Sequence, residues 1–358
     1  MKAGHRVTVL TTSRHDGVKV EEKNGFTIRF LSPSTPMKLS RLWFKESLSV
    51  VRELHREDPI DVIHSNEFAA KGVMRWAQKN AIPMAVVCHG SLRTELLSFL
   101  SAADMRPRYW HWLLLTPMHL VRRCILWEMP MRKASRSIIL VSPTLARDFS
   151  AYSNGKVQVI ENGITLPAPP KRREPSATLR LLCTGRADKQ KGFQTAIRAV
   201  SKMEDVPLHL DIVGTGPYFE DLKAICTDLN VNDRVTFHGR VDDDELSRIY
   251  SSADVYLIPT TRYEGLPLAL LEAMSHGIPT ISSDIGGNSD VITHGTDGLF
   301  IKPGDLSELI EAIRRLESDP AERNAISEAA RATAERRFDK GRMVSETLEL
   351  LESLAGQA

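Results

Sequence analysis

The sequence predicts an α/β protein built from two Rossmann-like, doubly wound domains and closed by C-terminal helices. Three observations carry that expectation. Short apolar runs alternate with helical patterns through the second half, the first half repeats the habit less regularly, and a proline-rich basic stretch separates them. Alternation of strand and helix builds a parallel sheet with helices on both faces. At 358 residues the chain exceeds one ordinary core and suits two domains.

Residues 1–165 are assigned to the first domain. Its expected strands are Arg6 to Thr11, Phe26 to Leu31, Asp61 to His64, Met84 to Cys88, Ser137 to Val141 and Lys156 to Ile160, each an apolar run bounded by turn or helical sequence. Residues 166–178 read LPAPPKRREPSAT, with four prolines and the consecutive cations Lys171, Arg172 and Arg173. That composition favours an extended, solvated linker. Residues 179–338 form the second domain, with strands expected at Leu179 to Cys183, Leu208 to Val213, Arg234 to Phe237, Val255 to Ile258, Thr280 to Ser282 and Leu299 to Ile301. After Asp305 the pattern is helical, in three pieces broken at Asp319-Pro320 and near Asp339. The last piece, 339–358, is expected to pack back toward the first domain. No internal period marks a repeat architecture.

Net charge is +2, so no global field recruits nucleic acid, and any anion binding must be local. Cys88, Cys124, Cys183 and Cys226 are far apart and lack metal-ligand spacing; two of them end apolar strand runs. Core thiols in a reducing, cytoplasmic setting are the expected case. Neither a signal pattern nor an uncharged apolar run of about 20 residues is present.

In doubly wound sheets, ligands bind beyond the carboxyl ends of the strands. Several chemically informative segments fall there. Gly185-Arg186-Ala187-Asp188-Lys189-Gln190-Lys191-Gly192 follows the first strand of the second domain and offers two spaced cations. Arginine grips phosphate with a planar fork, whereas lysine acts as a point charge. Gly214-Thr215-Gly216-Pro217, His238-Gly239 and Gly286-Gly287-Asn288 follow later strands; any one alone reads as turn punctuation. Glu264-Gly265-Leu266-Pro267 then opens a helix containing Glu272. Gly265 permits close backbone approach, Pro267 suits the first helical position, and free N–H groups there favour a phosphate. The alternative is an amphipathic helix with a solvated glutamate at each end. Asp242-Asp243-Asp244 resembles a metal-binding run, yet it precedes Glu245 and the apolar positions Leu246, Ile249 and Tyr250, so a helix cap explains it better.

These segments together resemble glycosyltransferase family 4, retaining enzymes of the GT-B fold. The likeness rests on Gly185-Arg186 with Lys191-Gly192, Gly214-x-Gly216-Pro217, Phe237-His238-Gly239, Glu264-x7-Glu272-Ala273-Met274, Gly277-x-Pro279 and Gly286-Gly287. It implies a nucleotide-sugar donor whose diphosphate is held by Arg186 and Lys191, with Gly214, Gly265 and Leu266 lining the donor site. Glu272 would bind the ribose and Glu264 the transferred sugar. No cofactor or metal is implied, since the cations and the helix start neutralise the leaving diphosphate. In the first domain, His89-Gly90 after Met84 to Cys88 resembles the family's strand-end histidine near the donor sugar. His89, Glu264, Arg186 and Lys191 are therefore the expected catalytic set. His64 reads as a core or scaffold residue, and Asn162-Gly163 as a structural turn. Two alternatives stay open: a nucleotide-sugar epimerase of the same fold, and a catalytically impaired nucleotide-sugar binder or scaffold. A dinucleotide oxidoreductase is weaker, because Gly185-Arg186 lacks the tight glycine turn.

The family opens with a strand, a glycine turn and a helix before a segment like Gly4-His5-Arg6-Val7-Thr8-Val9-Leu10-Thr11. About 25 to 30 residues, one strand-helix unit, are expected to be missing, and the missing strand would be central in its sheet. Residues 106–133 carry three of the five tryptophans, with basic residues at both ends. Such a segment suits a membrane interface and a lipid-linked glycan acceptor, as in bacterial surface polysaccharide assembly. A helical hairpin packed in the first domain is the alternative.

Overall fold

The computed structural model describes residues 4–14, 16–31, 40–102, 129–150, 156–168 and 177–357, with isolated positions between 118 and 126. In the first half the strands form two sheets rather than one. β1 (Thr8–Thr12), β2 (Val20–Lys23) and β3 (Phe26–Leu31) order as β1-β3-β2. β1 runs parallel to β3 and β2 antiparallel to it. β3 matches the strand expected at Phe26 to Leu31, but β2 was not expected, although Asn24-Gly25 at the turn between them, with φ of 50° and 80°, is the residue pair such hairpins demand. β4 (Ile63–Asn66), β5 (Met84–Cys88), β6 (Ser137–Leu140) and β7 (Val157–Val159) form a parallel sheet in that order.

β1 and β4 are thus edge strands, and Val9 of β1 is 38% exposed. His64, expected as a core or scaffold residue, is exposed, on a strand with a neighbour on one side only, so the core alternative does not hold. Helix Arg41–Glu57 spans the two sheets. Ser40 Oγ caps it by accepting from Trp43 N–H, Glu53 pairs with Arg29 of β3 at 3.2 Å, and the Trp43 indole donates to Ala69 O beyond β4 at 2.9 Å.

The second half holds β8 (Leu179–Thr184), β9 (Leu208–Val213), β10 (Val235–Gly239), β11 (Val255–Ile258), β12 (Thr280–Ser283) and β13 (Leu299–Ile301). All pair in parallel, in the order β10-β9-β8-β11-β12-β13. The order reverses between β8 and β11, the point where doubly wound sheets open a crevice for ligands. Leu181, Leu182, Cys183, Leu210, Ile212, Val255 and Ile281 are fully buried, as strands covered on both faces require.

Three helices close the chain, Leu306–Ser318, Pro320–Arg337 and Lys340–Ala355, and each is capped by the aspartate before it. Leu350 and Leu354 of the last pack against Ala85, Ile139 and Ile160 of the first half. A second buried cluster joins Val141 and Leu145 to Leu266 and Leu270, so the two halves share apolar core.

Asp242 Oδ1 accepts from Glu245 N–H at 2.8 Å at the start of helix Asp243–Ser252, the capping geometry expected of the aspartate run. Asp242→Ala is expected to lower stability by about 1 kcal/mol, measured as a fall in the urea midpoint with an unchanged m-value.

Candidate active site

The turn after β8 is built by backbone contacts that tolerate no side chain. Gly214 adopts φ of +121° and lies against the turn of Gly185, where a Cβ would come within 1.9 Å of Gly185 O. Gly192, at φ of +77°, abuts Pro259 O at the exit of β11, where a Cβ would come within 1.8 Å. Gln190 O also accepts from Thr261 N–H and Thr260 Oγ1, each at 2.9 Å. The short 3-10 turn Lys189–Lys191 is therefore locked onto the chain leaving β11. Its consequence is an ion pair: Lys191 Nζ lies 2.5 Å from Glu264 Oε1, with the side chains only 21% and 16% exposed. A carboxylate oxygen stands where Lys191 would meet another anionic oxygen. Arg186 is 68% exposed and leans on Asp188 at 3.4 Å.

The Glu264-Gly265 peptide is clamped between the halves of the chain. Gly287 N–H donates to Glu264 O at 2.8 Å, and a Cβ on Gly287 would come within 1.8 Å of Gly265 O. On the opposite side, a Cβ on Gly265 would come within 2.0 Å of His89 O. Leu266 anchors the segment in the shared core. Helix Leu268–Ser275 starts one residue later than expected, because Pro267 is its N-cap: the Pro267 carbonyl accepts from Leu270 N–H while its own backbone stays extended. His89 is exposed as a residue, yet the protein around its ring strips water, and that desolvation pulls its pKa below the ordinary histidine range. It is neutral near pH 7.

Glu272, one turn into the helix, receives the Tyr250 hydroxyl at 3.0 Å. Burial raises its pKa, the Tyr250 bond opposes that rise, and the Asp243 carboxylate adds to it.

His89, Lys191, Glu264 and Gly265 meet at one place. Among the described residues no hydrogen bond or ion pair joins Arg186, Gly214 or Glu272 to the Lys191–Glu264 pair: Arg186 pairs with Asp188, and Glu272 accepts from Tyr250. Sequence reasoning missed Tyr250, which it placed on an apolar helix face, and Ser98. Ser98 Oγ accepts from Tyr263 N–H at 2.9 Å, and Ser98 O accepts from the Gln190 amide, so helix Leu92–Ala102 reaches across to both segments of the site. Nothing in the local pattern around Ser98 signals that reach.

Comparison with known proteins bears on the fold and the family. A curated sulfoquinovosyl transferase from Arabidopsis thaliana is 26% identical over 349 residues, covering 93% of this chain and 64% of that protein. A lipopolysaccharide core biosynthesis glycosyltransferase from Rhizobium meliloti is 32% identical over 223 residues, covering 61% of this chain and 64% of that protein. The matches span between 44% and 64% of the length of the first curated relatives. Among solved structures, a sucrose-phosphate synthase from Thermosynechococcus elongatus superposes with a TM-score of 0.82 at 21% identity, covering 100% of this chain and 91% of that one. Anabaena HepE in complex with UDP superposes at 0.69 with 20% identity, covering 92% and 86%. At such identities these structures show the fold, which is GT-B. The family model for Glycosyltransferase Family 4 matches residues 1–166, and that for Glycosyl transferases group 1 matches residues 168–333. Two models laid end to end over nearly the whole chain make it a member of the glycosyltransferases whose two halves they describe.

Proposed function

We propose that the chain transfers a sugar from a nucleoside-diphosphate sugar to an acceptor hydroxyl, with retention of anomeric configuration and without a metal. The Lys191–Glu264 pair in the crevice carries this reading, since the donor's sugar-phosphate linkage belongs between a cation and a carboxylate. Arg186 and Lys191 hold the diphosphate, with Gly214 and the Gly265-Leu266 backbone leaving room for it. Glu272 accepts from the ribose hydroxyls. Glu264 and neutral His89 orient the sugar.

In the reaction the bond between the anomeric carbon and the phosphate oxygen breaks, and its electrons pass to the diphosphate. Arg186, Lys191 and the start of helix Leu268–Ser275 stabilise that charge. The acceptor oxygen bonds to the same face of the anomeric carbon, and its proton passes to the leaving phosphate. Neither Glu264 nor His89 acts as a covalent nucleophile. The R. meliloti relative and an amylovoran biosynthesis glycosyltransferase from Erwinia amylovora support a role in bacterial polysaccharide or glycolipid assembly.

Incubation with UDP-, GDP- and ADP-sugars tests this. One donor should raise the melting temperature by mass action and release its nucleoside diphosphate, and Glu264→Ala should abolish that release. An isomerised donor would indicate an epimerase, tight binding without turnover a scaffold, and no response to any donor would end the proposal.

Glu272 supplies a pH signature. Burial pushes its carboxyl pKa above the ordinary glutamate value, and the ionised form is the stronger acceptor for the ribose hydroxyls. Nucleotide affinity should therefore fall as pH drops through that raised pKa. Calorimetric titrations across pH should show the fall in the wild type and lose it in Glu272→Gln.

The segment 106–133 lies largely outside the described residues. Its described positions Met118, Val121 and Ile125 are 63%, 47% and 57% exposed, at the three-then-four spacing of one helical face. Among the described residues no helix is long and apolar enough to cross a membrane. Peripheral attachment on the cytoplasmic side, bringing the enzyme to a lipid-linked acceptor, fits both facts. The protein should float with anionic vesicles, and Val121→Asp with Ile125→Asp should abolish flotation.

A further inference from the structure

Glu272 is the end of a row of three hydroxyls drawn from three other elements of the second half. Tyr250, on helix Asp243–Ser252, donates to Glu272 Oε2 at 3.0 Å. Thr184 Oγ1, at the end of β8, lies 2.9 Å from the Tyr250 hydroxyl and 2.7 Å from that of Tyr256 in β11. β8 and β11 are the two strands at the switch point of the sheet. Tyr250 and Tyr256 are 2% and 1% exposed, and the His276 ring stacks on Tyr250 at 5.1 Å with 17° between planes. The phenol is held on every side.

Proton counting gives the row a direction. An ionised carboxylate only accepts, and each hydroxyl has one proton to give. Tyr250 spends its proton on Glu272, so its oxygen must accept from Thr184. Thr184 has then spent its own proton, and its oxygen must accept from Tyr256. Burial raises the pKa of both phenols, so both stay protonated and able to donate. The hydroxyls therefore run head to tail from Tyr256 through Thr184 and Tyr250 to Glu272 Oε2. Among the described residues none donates to Glu272 Oε1.

We propose that Tyr250 is a positioning residue for the nucleotide ribose: its hydroxyl fixes Glu272 Oε2, which turns Oε1 toward the ribose hydroxyls, and Thr184 and Tyr256 hold Tyr250 in that orientation. This rests on the reading of Glu272 as a donor-binding carboxylate. Specificity for a ribonucleotide then comes from a chain of side chains reaching into the core, and only its last member touches the ligand.

Calorimetric titration separates the two claims. UDP, GDP and ADP are first titrated into the wild-type chain, and the tightest binder is then compared with its 2′-deoxy and 3′-deoxy forms. The wild type should prefer the ribo form. Tyr250→Phe, which keeps the ring, should lose about ten-fold of that preference while binding the deoxy forms as before. Thr184→Val should lose several-fold in the same direction, and it carries the comparison if Tyr250→Phe does not fold. In a Glu272→Ala background, Tyr250→Phe should change nothing further. Equal weakening of ribo and deoxy ligands, or an intact preference in both variants, would overturn the positioning role while leaving the donor site standing. If none of the three nucleotides binds the wild type, the donor reading falls and this inference with it.

Discussion

Lys191→Ala is expected to lower kcat/KM for the nucleotide-sugar donor by about two to three orders of magnitude, the usual consequence of removing one charge-stabilising donor from a transition state. The side chain is held by the turn of Gly192 against Pro259 and is only 21% exposed, so a neighbouring cation cannot swing into its place. Two losses combine. The departing diphosphate loses a cation, and the Glu264 carboxylate, 16% exposed, loses its partner at 2.5 Å and must find another. Lys191→Arg should recover little, because a planar guanidinium does not fit where a point charge reaches one oxygen. Steady-state kinetics with thermal melting would check this; activity within a few-fold of wild type in a folded Lys191→Ala protein would remove Lys191 from the mechanism.

Gly265→Ala acts by geometry instead of charge. A Cβ at this position would come within 2.0 Å of His89 O and 3.3 Å of Val141 Cγ2, both from the other half of the chain. Backbone cannot yield by more than an ångström without the cleft opening. The expected result is a protein that still binds the nucleotide within several-fold but transfers sugar about a hundred-fold more slowly, since a displacement near 1 Å can cost that much. Nucleotide titration beside single-turnover rates separates the two quantities. Equal loss of binding and turnover would mean that the cleft does not close through this contact.

Much of the second half could be read from sequence, and the reason is physical. Strands buried on both faces leave continuous apolar runs such as Val255 to Ile258, and the aspartates at 242, 305, 319 and 339 mark helix starts that the structure reproduces as caps. The glycines at 192, 214 and 287 lie where backbones touch. The first half was less legible. Its six expected strands all occur, but they are short and partly exposed, β2 before the Asn24-Gly25 turn was passed over despite that signal, and His64, a core or scaffold residue by its sequence, emerged exposed at an edge. Contacts between the halves left no local trace. His89 O against Gly265 and Ser98 against Tyr263 join residues more than 160 positions apart, and no periodicity encodes that. Tyr250 was hidden for a different reason: its ring satisfies the apolar pattern of its helix while its hydroxyl serves Glu272.

A crystal structure with a nucleoside diphosphate bound tests the central claim most directly. It should show phosphate oxygens within hydrogen-bond distance of Lys191 and Arg186, the ribose on Glu272, and the Lys191–Glu264 pair opened by the ligand. A nucleotide bound elsewhere, with that pair intact, would contradict the donor site proposed for this chain.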